Sequence, residues 1–323
     1  MARSNLVRDW RFWLLGTALL ALVAALAVPR MALTRQARDV LLVIDVTGSM
    51  NVRDYMVGGE PVSRLAMAKS ASRALLAALP CQSRLGLAIF SERRSFLLFE
   101  PAEVCENFAA IDGAIDGLDW RMAWEGDSYV GRGVHAAIAA AAGLHANLLF
   151  LTDGHEAPPL AGGALPAFDG EPGAVPGLLV GVGANEPSPI PKFDEDGREI
   201  GFYGEQDVTQ ENRSGPPPED APSRAGWNPR NAPWGSEAAT GTEHLSAMRE
   251  TYLRQLAAQT GLGFAALRAP SSLIAAMEAG TRARPVEVSV DIAPLPAALA
   301  LTCLALLFGL GALIGRRPER LPA

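Results

Sequence analysis

Hydrophobic and polar positions in the middle of the chain follow two periods. Continuous apolar runs indicate strands buried on both faces of a sheet, and they cover residues 40–45 (VLLVID), 147–154 (NLLFLTDG) and 177–183 (GLLVGVG). Apolar positions at helical spacing indicate helices over residues 64–79, 107–118 and 131–144. Two further runs, RLGLAIF and SFLLFE, predict a strand pair joined by a tight turn. This order predicts an α/β fold with a doubly wound, mostly parallel sheet.

The regular pattern stops at residue 184 and resumes at residue 242. The later elements are predicted as a helix over 242–262, a strand over 263–269 and a short helix over 271–280. The insertion, residues 184–241, is rich in Pro, Gly, Asn and acids, which is typical of a solvated linker, above all over 213–220. It also carries aromatic residues, which favour contact with a partner, and the candidates are Phe202, Tyr203, Trp227 and Trp234. Both interpretations of the insertion remain open.

Two charge-free apolar segments flank this middle part, at residues 12–29 and 293–315. Each is long enough to cross the ~30 Å hydrocarbon core of a bilayer as a helix. Three arginines follow the second segment, and few bases precede it, so residues 1–11 and 316–323 are predicted to be cytoplasmic. The middle part is then periplasmic, at a bacterial inner membrane. A cleaved signal peptide is the alternative for the first segment, and it predicts the same export.

Charge and motif content narrow the classes of function. Between the two apolar segments, from residue 39 to 292, 33 Asp and Glu stand against 19 Lys and Arg, a surplus that disfavours nucleic-acid binding. No zinc or thioredoxin cysteine pattern and no GxxxxGK phosphate loop is present. The four histidines are scattered, and Glu156 is the one candidate general base. We therefore expect no enzyme, with a metal-dependent hydrolase as the least favoured alternative.

Oxygen-bearing side chains follow two of the predicted strands. Asp45 ends the first strand, with Thr47 and Ser49 at alternate positions after it; Asp153 ends another, and Ser128 is predicted to open a helix. Parallel sheets bind ligands at the carboxyl ends of their strands. If these loops converge, two carboxylates and three hydroxyls form an oxygen-only site. Such a site suits Mg²⁺ or Mn²⁺, and Ca²⁺ less well.

Three motifs resemble those of von Willebrand factor A domains. They are DVTGSM at 45–50, GDSYVGRGVHAA at 126–137 and LLFLTDG at 148–154, in the order of that family. The resemblance covers about residues 38–280 and implies a Rossmann-like fold with a metal-ion-dependent adhesion site. It implies that the metal ligands are Asp45, Thr47, Ser49, Ser128 and Asp153. A serine stands at 128 where the family usually has threonine, which predicts some loss of metal affinity.

The resemblance also implies a partner and a disulfide. In such domains the bound ion accepts a carboxylate from a partner protein. The fold would place Cys81 and Cys105 together at the end of the domain opposite the metal, so a disulfide between them is plausible; two free thiols are the alternative.

Two narrower resemblances concern the biological role. The membrane-flanked layout, RLAMAK after the metal loop and LRQLAAQTG near the end resemble aerotolerance-type proteins associated with MoxR ATPases. The segment 183–201 with HLSAMRETYLRQLA resembles the accessory proteins encoded with bacterial methanol dehydrogenase. The second resemblance implies a chaperone-like role in maturing that periplasmic enzyme by calcium insertion. Implied partners are methanol dehydrogenase subunits, other membrane-anchored von Willebrand factor A proteins or a MoxR-type ATPase.

Overall fold

The computed structural model of the chain forms two compact units. One is Gln36–Arg284, and the other combines both ends of the chain, Met1–Arg35 and Pro285–Ala323. The described residues are 9–27, 30–123, 126–157, 160, 164–204, 207, 242 and 244–315. Two predicted contact residues, Trp227 and Trp234, and the predicted linker 213–220 lie outside them.

A six-stranded mixed sheet forms the centre of the larger unit. Its strands, in spatial order, are β13 (Gly263–Ala266), β8 (Gly177–Gly181), β7 (Asn147–Thr152), β2 (Asp39–Asp45), β5 (Arg84–Ser91) and β6 (Arg94–Glu103). All neighbours are parallel except the edge strand β6, which pairs antiparallel with β5. The central strands β2 and β7 are buried along almost their whole length, as continuous apolar runs require. The predicted α/β class is confirmed.

Helices cover both faces of this sheet. One face carries α2 (Arg64–Ala78), α3 (Phe108–Asp116) and α6 (Pro270–Gly280), and the other carries α4 (Val130–Gly143) and α5 (Glu250–Thr260). Even residues of β2, such as Leu42 and Ile44, pack on the first face, whereas Leu41 and Val43 pack on the second. The alternation of side chains along a strand therefore divides the core into two layers.

The helix predicted over 242–262 is much shorter in the structure. Helix α5 begins at Glu250, and Leu245–Ser246 form a short strand, β12, paired with β9 (Ser188–Pro189). The backbone amide of Met248 donates to Ala184 O, so it does not enter a helix. Tertiary hydrogen bonds override the helical pattern here.

Part of the insertion has regular structure. Strands β10 (Pro191–Phe193) and β11 (Glu199–Phe202) form an antiparallel hairpin, closed by a turn at residues 194–197. Phe193 stacks on Trp120, with ring centroids 4.5 Å apart. The interpretation of the insertion as a solvated linker is therefore wrong for residues 188–202.

The smaller unit contains the apolar ends. Helices α1 (Trp10–Ala27) and α7 (Pro294–Gly315) pack through small residues that include Ala18 and Cys303, and β1 (Arg30–Ala37) pairs with β14 (Arg284–Asp291). Among the described residues, only α1 is long and apolar enough to cross a membrane. The side chains of α7 are described for Pro294–Leu310, and this apolar stretch is shorter than a membrane span. The second membrane helix stays a prediction.

Cys81 and Cys105 form a disulfide, with Cα atoms 5.3 Å apart. Cys81 lies just before β5 and Cys105 just after β6. Because β5 begins and β6 ends at the same edge of the sheet, the bond joins the two strands at their common end. We call this end of the sheet the disulfide edge. The opposite end, where the parallel strands have their carboxyl ends, is the carboxyl edge.

Candidate metal centre

The two aspartates predicted to bind metal lie at the carboxyl edge of the sheet. Asp45 is the last residue of β2, and Asp153 directly follows its neighbour β7. Both are fully buried. Strand pairing therefore brings together two carboxylates that are 108 positions apart in the sequence.

The loop after β2 turns its hydroxyl groups back onto Asp45. Thr47 donates to Asp45 Oδ1 from its backbone N (2.9 Å) and from Oγ1 (2.6 Å). The Oγ atoms of Thr47 and Ser49 lie 3.4 Å apart. A short 3-10 turn, Gly48–Asn51, follows Thr47 and keeps these side chains on one side of the loop. Three oxygen-bearing side chains therefore form one cluster.

Ser128 pairs with residues that follow the two strands flanking β2, and it does not open a helix as predicted. Its backbone N donates to Ala157 O (2.6 Å) and its O accepts from Ala157 N (2.8 Å); Tyr129 N donates to Glu92 O (2.6 Å). Glu92 follows β5 and Ala157 follows the β7 loop, and these strands flank β2. The segment therefore links the regions after β5 and β7, on either side of β2, and α4 begins only at Val130 because Ser128 O accepts from Ala157 N and not from a helix amide.

The oxygen atoms of this cluster fit a hard divalent cation. Ser128 Oγ is buried and has no hydrogen-bond partner among the described residues, and the same is true of Ser91 Oγ at the end of β5. A buried hydroxyl without a partner costs ~1–3 kcal/mol, so it points to a bound group that would satisfy it. Carboxylates and hydroxyls without sulfur or imidazole suit Mg²⁺ or Mn²⁺. Ser91 escaped the sequence analysis, although it directly follows the predicted strand RLGLAIF.

The two carboxylates have opposite electrostatic environments. Burial, together with the charge of Asp153, raises the pKa of Asp45 from 3.8 to about 7, against hydrogen bonds from Thr47 and from Thr152 Oγ1 (2.6 Å to Oδ2). Burial is the largest single influence on Asp153 and opposes its ionisation, but the guanidinium of Arg64, together with His155 and a hydrogen bond from Ser49, lowers that pKa. Asp153 is therefore the more readily ionised member of the pair, and a bound cation would favour the charged form of Asp45.

Arg64 is the residue of this centre that the sequence analysis missed. Its side chain is fully buried, and its Nη1 donates to Asp153 Oδ2 (2.7 Å). Its Nε and Nη2 donate to Asp54 Oδ2 (2.9 and 2.7 Å). One signal in the sequence could have indicated it, since Arg64 lies one turn before Ala68 on the buried face of α2.

An open cleft of about 940 Å³ lies beside Asp153. Gly154, His155 and Glu156 line one side, and the first turn of α5 lines the other. His155 is buried, and its backbone N donates to Asp153 Oδ1 (2.9 Å). Glu156 accepts hydrogen bonds from Tyr252 Oη and from Gly131 N (2.8 Å), and burial raises its pKa.

Two hairpins carry exposed apolar side chains. The hairpin of β3 (Tyr55–Val57) and β4 (Glu60–Val62) follows the loop after β2. An ion pair from Arg53, just before β3, to Glu199 joins this hairpin to the β10–β11 hairpin. We name their exposed apolar residues the rim patch: Met56, Val57, Ile200 and Phe202. Of the predicted contact residues, Phe202 is 54% exposed, whereas Tyr203 packs under Lys192, whose Nζ lies 5.7 Å from the ring centroid.

The family model for the von Willebrand factor type A domain matches residues 40–155. The chain contains a von Willebrand factor type A domain. All five predicted metal-binding residues lie within the matched range. No curated protein matches the chain.

Solved structures with a similar backbone fold include three bacterial proteins. An aerotolerance-related membrane protein from Bacteroides fragilis is 15% identical, with 75% of this chain and 98% of that chain covered and a TM-score of 0.45. BatB, a conserved hypothetical protein from Bacteroides thetaiotaomicron, is 15% identical, with 76% and 100% covered and a TM-score of 0.44. A von Willebrand factor type A protein from Catenulispora acidiphila is 14% identical, with 77% and 44% covered and a TM-score of 0.40. Similarity at this level does not indicate that the proteins share an activity.

Proposed function

We propose that this protein is a membrane-anchored, metal-dependent protein-binding module. Its von Willebrand factor A domain would hold Mg²⁺ or Mn²⁺ through Asp45, Thr47, Ser49, Ser128 and Asp153. The observation that carries this proposal is the buried oxygen cluster, in which two carboxylates lie together and Ser128 Oγ has no partner among the described residues. A bound divalent cation would offset the charge of the two carboxylates and would also give the Ser128 hydroxyl oxygen a partner.

The charge of the site favours binding of an acidic group from a partner. The bound ion would supply a Lewis-acidic centre, and two site carboxylates leave it able to attract a further anion. Thr47 and Thr152 orient Asp45 through their hydroxyl groups, so the carboxylate is held before any partner arrives. The cleft beside Asp153 and the rim patch offer further contact area.

Binding is favoured over catalysis by the state of Glu156. This candidate general base accepts hydrogen bonds from Tyr252 and Gly131 at Oε1, and these bonds tie its carboxylate to α4 and α5. A hydrolase would need a base within reach of a metal-bound water. We therefore propose that the protein is not an enzyme.

The proposed location is the periplasmic side of a bacterial inner membrane. Helix α1 is apolar enough to be the anchor, and α7 is proposed as a second one. The Cys81–Cys105 disulfide supports an oxidising compartment for the domain.

The partner is proposed from sequence resemblance. One candidate is methanol dehydrogenase, whose maturation with calcium the protein would assist. The other is a membrane complex of von Willebrand factor A proteins with a MoxR-type ATPase, in a stress or aerotolerance role. The resemblance of segment 183–201 favours the first, and the membrane-flanked layout agrees with the second.

Capture from detergent-solubilised membranes tests the proposal. The full chain, immobilised with Mg²⁺, should retain its partner, and EDTA or Asp45→Ala should release it. Asp112→Ala, an exposed carboxylate on α3, is the matched control and should keep full capture. Mass spectrometry of the released proteins distinguishes dehydrogenase subunits from an ATPase complex. Equal capture of the partner by Asp45→Ala and by wild type would contradict the proposal. Metal-dependent turnover of an ester or phosphate substrate would favour the hydrolase alternative.

A further inference from the structure

The guanidinium of Arg64 joins three parts of the domain. It contacts Asp153 at the metal centre, Asp54 after the metal loop, and Ser246 beyond the insertion. Nη1 donates to Ser246 Oγ (2.7 Å) and Nη2 to Ser246 O (3.1 Å), while Ser246 Oγ also lies 2.9 Å from Asp153 Oδ2. Because Nε also donates to Asp54 Oδ2, all five of its N–H groups can be used, and the side chain is completely buried.

Both ends of the insertion converge on this guanidinium. At the first end, Ala184 N donates to Asp54 Oδ2 (2.8 Å), the oxygen that Arg64 also contacts. Gly183 lies so close that an added Cβ would clash with the guanidinium, and its φ of +109° favours glycine. At the second end, Met248 N donates to Ala184 O (2.7 Å), which closes the insertion beside Ser246.

A cation in this position acts on the metal centre through its charge. Arginine stays protonated even when buried, and two buried acids, Asp54 and Asp153, require its charge. The same positive charge repels a divalent ion at the neighbouring oxygen cluster, because charges interact strongly across a protein interior. Arg64 therefore keeps Asp153 in place at the expense of metal affinity.

We propose that Arg64 is a positioning residue that restrains the metal affinity of the centre and links metal binding to the two ends of the insertion. This inference rests on the proposed metal-binding function. A metal ion that binds Asp153 competes with Arg64 for that carboxylate and weakens the Arg64–Asp153 ion pair. The change reaches residues 183–190 and 244–249 through Asp54 and Ser246.

Isothermal titration of the full chain in detergent with Mn²⁺ tests the charge. Arg64→Gln removes the cation and should lower the Kd for Mn²⁺ by roughly ten-fold, whereas Arg64→Lys keeps the charge and should stay within about three-fold of wild type. Arg73→Gln is the matched control, because Arg73 is an exposed arginine on the same helix that pairs with Asp112 and Asp116. It should leave the Kd unchanged.

Circular dichroism reports whether Arg64→Gln folds without metal. If it does not, the double variant Arg64→Gln/Asp54→Asn carries the same test, since it removes the second unpaired carboxylate and leaves Asp153. A Kd equal to or higher than that of wild type in the folded variant overturns the inference while the proposed function stands. Absence of Mn²⁺ binding in both proteins overturns both.

Hydrogen exchange tests the link to the insertion. Saturating Mn²⁺ should change the exchange rates of amides in 183–190 and 244–249 at least about three-fold in wild type, and less in Arg64→Gln. Amides near the disulfide, at residues 81–85, provide the internal control. Exchange that responds to Mn²⁺ equally in both proteins, or in neither, contradicts the link.

Discussion

The two edges of the central sheet are built on opposite principles. At the edge with the disulfide, a buried polar side chain is paired within the protein: Asn147 donates to Asp39 O and Arg282 O and accepts from Arg282 N, all within 3.0 Å. At the carboxyl edge, Asp45 and Asp153 lie together and Ser128 Oγ has no partner among the described residues. Asn147 is satisfied by groups of the protein, whereas under the proposed function a bound cation would complete the carboxyl edge. Stability and binding are therefore separable by mutation.

The largest expected effect lies at the disulfide edge. Replacing both cysteines by Cys81→Ser and Cys105→Ser removes a cross-link over a separation of 24 residues and should lower the free energy of unfolding by about 3 kcal/mol. Urea unfolding of the full chain in detergent, followed by circular dichroism, measures this loss. Mn²⁺ affinity should stay within about two-fold of wild type. A parallel collapse of metal affinity would show that the two edges are not independent.

Asp45→Ala should have the next largest effect, this time mainly on binding. It removes a charged ligand, so we expect the Kd for Mn²⁺ to rise at least about 100-fold, which corresponds to ~2.7 kcal/mol. Stability without metal should change less than metal affinity, because removing a carboxyl buried beside a like charge offsets the loss of its hydrogen bonds from Thr47 and Thr152. Titration calorimetry and metal-free unfolding measure the two effects, with Asp112→Ala as the control. Retained affinity would remove Asp45 from the ligand set.

Ser128→Ala should act in the same direction and more weakly. Losing one neutral ligand should raise the Kd for Mn²⁺ about ten-fold, or ~1.4 kcal/mol. Stability without metal should hold or increase, because a buried hydroxyl without a partner is removed. Ser128→Thr restores the oxygen and adds a methyl group that restricts the rotamer, so it should bind Mn²⁺ at least as tightly as wild type. Loss of stability in Ser128→Ala would instead indicate a structural role for the hydroxyl.

The sequence predicted the parts of the molecule that depend on local pattern. Continuous apolar runs located β2, β7 and β8, and the carboxyl ends of parallel strands located Asp45 and Asp153 at one edge. These predictions succeed because the burial of a strand and the residue at its end are both written in a few consecutive positions.

Features that depend on distant partners could not be predicted in this way. Arg64 contacts residues 89 and 182 positions away, so helical spacing could place it on the buried face of α2 but could not identify its partners. The start of α5 depends on the amides of Met248 and Arg249, which donate to Ala184 and Asp153. Helical periodicity continues through this segment, so pattern alone extends the helix too far.

The smallest expected effect concerns the pH dependence of the metal-free protein. Asp45 has a native pKa of about 7 and an ordinary value of 3.8, so between these values the native state holds a proton that the unfolded chain has released. Stability should therefore fall as pH rises through this window. In EDTA, wild type should unfold at a lower temperature at pH 8 than at pH 5, by a few degrees more than Asp45→Asn does.

Two further measurements complete this comparison of the edges. Mg²⁺ should restore the unfolding temperature of wild type at pH 8, since a bound cation replaces the proton, and should leave Asp45→Asn unchanged. Asp112→Asn is the control, because hydrogen bonds from Arg73 lower the pKa of this exposed carboxyl and it should keep the wild-type response to Mg²⁺. The same pH response in wild type and Asp45→Asn would place the titrating group elsewhere. It would also remove the electrostatic reason for separating the carboxyl edge from the disulfide edge.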